Sequence, residues 1–188
     1  MPESANPRVA VIGLGSMGYG MATSLRRAGL EVTGCDVSAD SVKRFVADGG
    51  KGASTPAEAA KSADIVVSVV VNAAQTEAIL FGSNGVAETL GKGAVFISSA
   101  TMDPDVARRL AKQLEATGRH YLDAPISGGA QRAAQGELTI LASGSPAAFA
   151  KARPALDAMA AKLYELGDDA GQGAAFKMIN QLLAGVHI

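Results

Sequence analysis

Three groups of residues in this chain have the types and spacing to do chemistry. The first is Gly13-Leu14-Gly15-Ser16-Met17-Gly18, whose glycines stand as G-x-G-x-x-G. Gly13 suits a tight turn that a Cβ would obstruct, Gly15 lets backbone approach a pyrophosphate, and Gly18 lets the following helix press onto the preceding strand. Such a helix start points unpaired N–H groups and a positive dipole end at phosphates. The motif is weak alone. Here a strand-like run, Val9 to Ile12, precedes it, and Met17, Met21, Ala22 and Leu25 recur behind it at helical spacing. Asp36, eighteen positions after Gly18, ends a second strand-like run, Glu31 to Cys35. A carboxylate there accepts hydrogen bonds from ribose hydroxyls and repels a 2′-phosphate, and Val37 and Ser38 behind it supply no arginine. The expectation is an NAD site, not an NADP site.

The second group is Ser127-Gly128-Gly129, at a strand end and ahead of Ala-rich helical residues. The hydroxyl and the two glycine N–H groups can clasp a carboxylate. The same residues also suit a turn with a cap that serves structure alone, and spacing leaves both readings open. The third group is Lys177, Asn180 and Gln181, at i, i+3 and i+4 of a helical stretch, so one face carries an amine and two amides. Phe176, Ile179, Leu183 and Val186 mark a separate apolar stripe. Desolvation would bring the amine toward neutrality and fit it for general acid/base work. The competing reading is a solvated surface lysine.

The elements that must hold these groups alternate between strand-like and helix-like patterns almost to the end, as in a parallel sheet with helices on both faces. Further strands are expected at Lys51 to Ser54, Asp64 to Val71, Ala94 to Ser98, from Tyr121 onward, and Lys162 to Leu166. Helices are expected at Ala39 to Ala47, from Thr55-Pro56, up to Phe81, Asp103 to Thr117, Ala147 to Ala161, and from Gln172 onward. The fold class is α/β: a Rossmann-type, doubly wound, mostly parallel sheet followed by the start of a long interdomain helix. Residues 1–166 read as the NAD-binding domain. Residues 167–188 read as a hinge and the first part of a helix leading to a helical second domain that the chain lacks.

The 17 basic and 18 acidic residues nearly cancel, and aromatics make up 4%, so neither nucleic acid nor an anionic membrane is an expected partner. No apolar run has spanning length, and MPESANPR has no secretory core region. Cys35 is the single cysteine and excludes an internal disulfide. The expected location is the cytoplasm. His120 and His187 lack ligand spacing with acids or with Cys35, so no metal is expected.

Taken together, these three motifs resemble the β-hydroxyacid dehydrogenase family, which includes 3-hydroxyisobutyrate dehydrogenase and tartronate semialdehyde reductase. They are Gly13 to Gly18, Asp123 to Gly129, and Gly171-Gln172-Gly173 followed by Lys177 and Asn180-Gln181. The similarity extends over essentially the whole chain. It implies that Lys177 is the catalytic acid/base and that Ser127, Gly128 and Gly129 bind the substrate carboxylate. It also implies that Thr101 lies beside the nicotinamide, that Val71-Asn72 lines the adenosine side, and that Asn180 and Gln181 contact substrate. The chain departs from the family pattern at Gly20, Ser24 and Val71. Its tail, Asn180 to Ile188, and Thr139 to Ser145 are most similar to the L-threonate dehydrogenase branch. That similarity implies oxidation of a four-carbon sugar acid at its C2 hydroxyl. Two other readings are a non-catalytic NAD-binding module and a 6-phosphogluconate-type enzyme. The latter would need a basic cluster, and Ser127 to Gly136 offers only Arg132. The apolar positions Leu182, Leu183, Val186 and Ile188 predict a homodimer or higher homo-oligomer.

Overall fold

The computed structural model describes residues 6–186, and side chains up to Leu183. The side chain of Val186 and all of Ile188 in the expected association patch, the second histidine His187, and the first five residues of the N-terminus lie outside those bounds. Six parallel strands form the main sheet in the order β3-β2-β1-β4-β5-β6. They are β1 (Arg8–Ile12), β2 (Glu31–Cys35), β3 (Lys51–Ala53), β4 (Ile65–Ser68), β5 (Val95–Ser98) and β6 (His120–Asp123). The helices between them are α1 (Ser16–Arg27), α2 (Ala39–Ala47), α3 (Pro56–Ala60), α4 (Ala73–Phe81) and α5 (Pro104–Glu115). Both faces are covered, which is why β1 and β4 read as continuous apolar runs. Val9 and Val11 enter one core with Ile65 and Val67, while Ala10 and Ile12 enter the other with Val66 and Phe96. The strand order reverses between β1 and β4, so a crevice opens beyond their C-terminal ends.

Local signals set the element ends. Ser38, Thr55, Asn72, Asp103 and Ser145 each accept a first-turn N–H from the helix they cap. Cys35 is buried, and burial pushes its thiol up to about 11.

The structure differs from expectation in three places. β4 stops at Ser68, opposite Ile12, because β1 gives way to the turn at Gly13; Val69 to Val71 become loop. The strand expected from Tyr121 onward is broken at Pro125, which has no N–H for a ladder. Beyond it lies a second sheet of β7 (Ile126–Ser127), β8 (Leu138–Ala142) and β9 (Ala160–Glu165), antiparallel between β7 and β8 and parallel between β8 and β9. α6 (Gly129–Gln135) links β7 to β8, and α7 (Pro146–Met159) links β8 to β9. Finally, α7 ends at Met159 and not Ala161, because Ala160 pairs with Leu138 and starts β9. α8 (Gln172–Val186) follows, with Ala174 and Lys177 turned inward and Phe176, Met178, Ile179 and Leu182 exposed.

Candidate active site

Each glycine of the first motif has a distinct surrounding. Gly13 has φ +99°, and a Cβ on it would lie 2.2 Å from the Val69 carbonyl oxygen. A Cβ on Gly18 would lie 1.8 Å from the Gly13 carbonyl oxygen, so α1 rests directly on the turn. Gly15 is exposed, and a Cβ there would meet nothing within 4 Å. Gly15 is also the N-cap of α1, with no side chain capping the helix and no acid in its first turn. Backbone that is open at this point, at an uncapped positive helix end, fits a pyrophosphate. Leu14, Ser16 and Met17 complete the loop, with Leu14 buried and Ser16 exposed.

Asp36 closes the other side of the turn. Its two carboxylate oxygens accept the N–H groups of Leu14 at 2.6 Å and Ser38 at 2.7 Å. Each oxygen keeps a lone pair for a ribose hydroxyl. A cavity of about 300 Å³ lies beside it, lined by Asp36, Val37, Ser54, Val70, Gln75 and Ile79. It suits an adenosine.

A second cavity of about 400 Å³ lies on the other side of the glycine turn, lined by Gly15, Met17, Val71, Thr101, Lys177 and Gln181 among others. The fold therefore brings together the phosphate loop, the threonine and the lysine, which are far apart in sequence. Lys177 is 9% exposed, and its Nζ donates to Ser127 Oγ at 2.6 Å and to the Ile126 carbonyl at 2.9 Å. Burial pulls the amine below the ordinary lysine range, with no carboxylate opposing it. Gly128 and Gly129, with φ +139° and +76°, continue from Ser127 into an α6 N-terminus without a side-chain cap. The surface-lysine reading of Lys177 does not survive this geometry.

Other expected residues fall differently. Gln181 lines the second cavity; Asn180 is exposed and lines neither. Val71 borders the lysine cavity, Gln75 borders the cavity beside Asp36, and Val70 borders both. Asn72 lines neither and caps α4 by accepting Gln75 N–H at 3.0 Å. Gly20 and Ser24 sit where α1 meets α6. A Cβ on Gly20 would lie 2.6 Å from Ala134 N, and Ser24 Oγ donates to Ala133 O at 2.8 Å. The two departures from the family pattern thus lock the phosphate-loop helix to the helix that starts at the Ser127 cradle. The sequence gives no site role to Val69, Ser99 or Ser143, and places Asp123 in the second motif without a role of its own. Val69 and Ser99 line the lysine cavity, and Asp123 and Ser143 hold the start of α8. Among the described residues no cluster of His, Cys, Asp or Glu could hold a metal ion, and no helix is long and apolar enough to cross a membrane.

Residues 8–167 match the NAD binding domain of 6-phosphogluconate dehydrogenase. The chain is 49% identical over 180 residues to the L-threonate dehydrogenase of Cupriavidus necator, covering 96% of this chain and 61% of that protein. It is 35% identical to the mitochondrial 3-hydroxyisobutyrate dehydrogenase of Mus musculus, over 95% of this chain and 53% of that one. The crystal structure of 3-hydroxyisobutyrate dehydrogenase from Salmonella typhimurium superposes with a TM-score of 0.93 at 44% identity, over 97% of this chain and 64% of that one. The chain thus spans less than two thirds of the length of each.

Proposed function

We propose a reaction for this chain, which belongs to the family of the NAD binding domain of 6-phosphogluconate dehydrogenase: NAD-dependent oxidation of L-threonate, or a related small hydroxy acid, to the 2-oxo acid. The observation that carries it is the buried Lys177 amine, which faces the same cavity as the phosphate loop. A module that only binds NAD has no use for such a group. Arg132 alone between Ser127 and Gly136 gives a second phosphate little to bind, which favours an unphosphorylated acid.

The substrate carboxylate docks on Ser127 Oγ and the N–H groups of Gly128 and Gly129, with Gln181 reaching the same cavity. Docking releases Lys177 from Ser127 and leaves its amine facing the carbinol hydroxyl. Neutral Lys177 takes the hydroxyl proton as the C–O bond becomes a carbonyl. When bound, the nicotinamide supplies the acceptor for the carbinol hydride. In the reverse direction the Lys177 ammonium returns the proton. Asp36 and the α1 N-terminus hold the ribose and the phosphates. The reading extends to a cytoplasmic homo-oligomer in which residues 167–188 lead into a helical second domain. The exposed apolar residues of α8 support a buried setting for that helix in the assembled protein.

The direct test is NAD reduction by the full-length protein with a panel of hydroxy acids. L-threonate is expected to give the highest kcat/KM, and failure of every hydroxy acid would refute the proposal. The oxidation rate is expected to rise with pH as Lys177 loses its proton, with a midpoint below the ordinary lysine value of about 10.4. Carbonyl reduction is expected to fall over the same window, since it needs the ammonium. Profiles lacking this opposed limb would remove Lys177 from the proton transfer. Asp36→Ala is expected to weaken NAD about 10- to 100-fold, through lost charge-assisted hydrogen bonds, and to relax the preference over NADP. Titrations showing an unchanged NAD/NADP ratio would contradict the ribose assignment.

A further inference from the structure

Asp123 is a fully buried carboxylate that the reaction above does not use. Its Oδ2 accepts the N–H groups of Gly171 at 3.0 Å and Ala174 at 2.8 Å. Ser143 Oγ, 3.4 Å from the same oxygen, accepts Gly173 N–H at 3.0 Å. Two side chains from other elements therefore satisfy three donors at the start of α8, which a helix leaves unpaired. Asp123 and Ser143 also exchange both backbone hydrogen bonds, at 3.0 and 2.8 Å, tying the end of β6 to the segment beyond β8. A Cβ on Gly173 would lie 2.4 Å from the Leu141 carbonyl oxygen, so the helix sits directly on this junction. One turn further on, Lys177 meets Ile126 O and Ser127 Oγ, only three and four residues after Asp123. The short segment from Asp123 to Ser127, stiffened by Pro125, thus grips α8 at two points on one face.

We propose that Asp123 is the positioning residue for Lys177: by anchoring the first turn of α8 it sets the depth and rotation at which the amine meets Ser127 and the substrate. This rests on Lys177 being the acid/base. A negative charge at a helix N-terminus is favourable, and the anchor is strongest when Asp123 is ionised. Burial pushes its carboxyl up to about 6, against the pull of the two N–H groups, Ser143 and Arg108 of α5. Tyr121, two residues back on β6, is the other titratable group held beside it.

The test compares Asp123→Ala, Asp123→Asn and Lys177→Ala in the full-length protein, with L-threonate and NAD. Asp123→Ala is expected to lower kcat about 100-fold, the cost of a misplaced group, with NAD affinity within about twofold. Asp123→Asn, which keeps an acceptor and the shape, is expected to recover at least about tenfold of that loss. Amide exchange at Gly171, Gly173 and Ala174 is expected to accelerate in Asp123→Ala. In carbonyl reduction the wild type is expected to lose activity as pH falls through about 6, and Asp123→Asn to lack that limb. Unchanged kcat, or NAD affinity lost in step with kcat, would overturn the proposal. Should the alanine variant fail to fold, an asparagine variant that keeps the acid limb would overturn it. Normal turnover in Lys177→Ala would instead sink the acid/base reading, leaving the exchange measurement to judge the anchor alone.

Discussion

Lys177→Ala is expected to lower turnover by about 10²- to 10⁴-fold, the usual contribution of a positioned acid/base, while NAD still binds. The amine sits in the cavity beyond the glycine turn, whereas Asp36 and the adenosine-side cavity lie on the other side and do not include it. Losing Nζ removes the donor to Ser127 Oγ and Ile126 O but leaves the phosphate loop untouched. Both former acceptors are half-buried, so the fold is expected to tolerate the change. Lys177→Arg should fare little better, because a guanidinium stays charged and cannot take a proton. Steady-state kinetics with a separate measurement of NAD dissociation distinguish the cases. Near-normal turnover would remove Lys177 from the chemistry. Equal loss of NAD binding would make its role structural.

The second large effect separates glycines that look alike in sequence. Gly18→Ala is expected to destabilise the protein by about 3 kcal/mol or more, a large share of a typical folding free energy. Its Cβ would lie 1.8 Å from a backbone oxygen, which can move only by opening the contact between α1 and the Gly13 turn. Gly15→Ala should leave the urea midpoint almost unchanged, because its Cβ meets no protein atom. Its cost should appear in NAD affinity, at about tenfold or more, because the methyl group stands where backbone must meet a phosphate. A stable Gly18→Ala, or a Gly15→Ala protein with unaltered NAD affinity, would contradict the roles given to this turn.

What the sequence made legible was local. β2 and α2 lie where the local patterning from Glu31 to Cys35 and from Ala39 to Ala47 places them, because such a signal acts within a few residues. The alternation of Val9, Ala10, Val11 and Ile12 between two cores is legible too, since only a strand covered on both sides needs four apolar residues in a row. What escaped depends on distant partners. β7 has two residues and no pattern of its own, and it exists through its pairing with Thr139 and Ile140. Ser24 finds its acceptor 109 residues away at Ala133, which no window around α1 reveals. Asn72 carries a local signal, with Gln75 three residues on, and its cap follows from that spacing. Lys177 is identifiable as an amine beside apolar neighbours, but its contacts with Ile126 O and Ser127 Oγ of β7 lie about fifty residues away and leave no local signal.

The most direct test is a crystal structure of the full-length protein with NAD and a non-reacting analogue of L-threonate. The expected result is Lys177 Nζ at roughly 3 Å from the analogue's C2 oxygen, with the carboxylate on Ser127. A carboxylate bound elsewhere, with Nζ still held by Ser127 Oγ and the Ile126 carbonyl, would contradict the account.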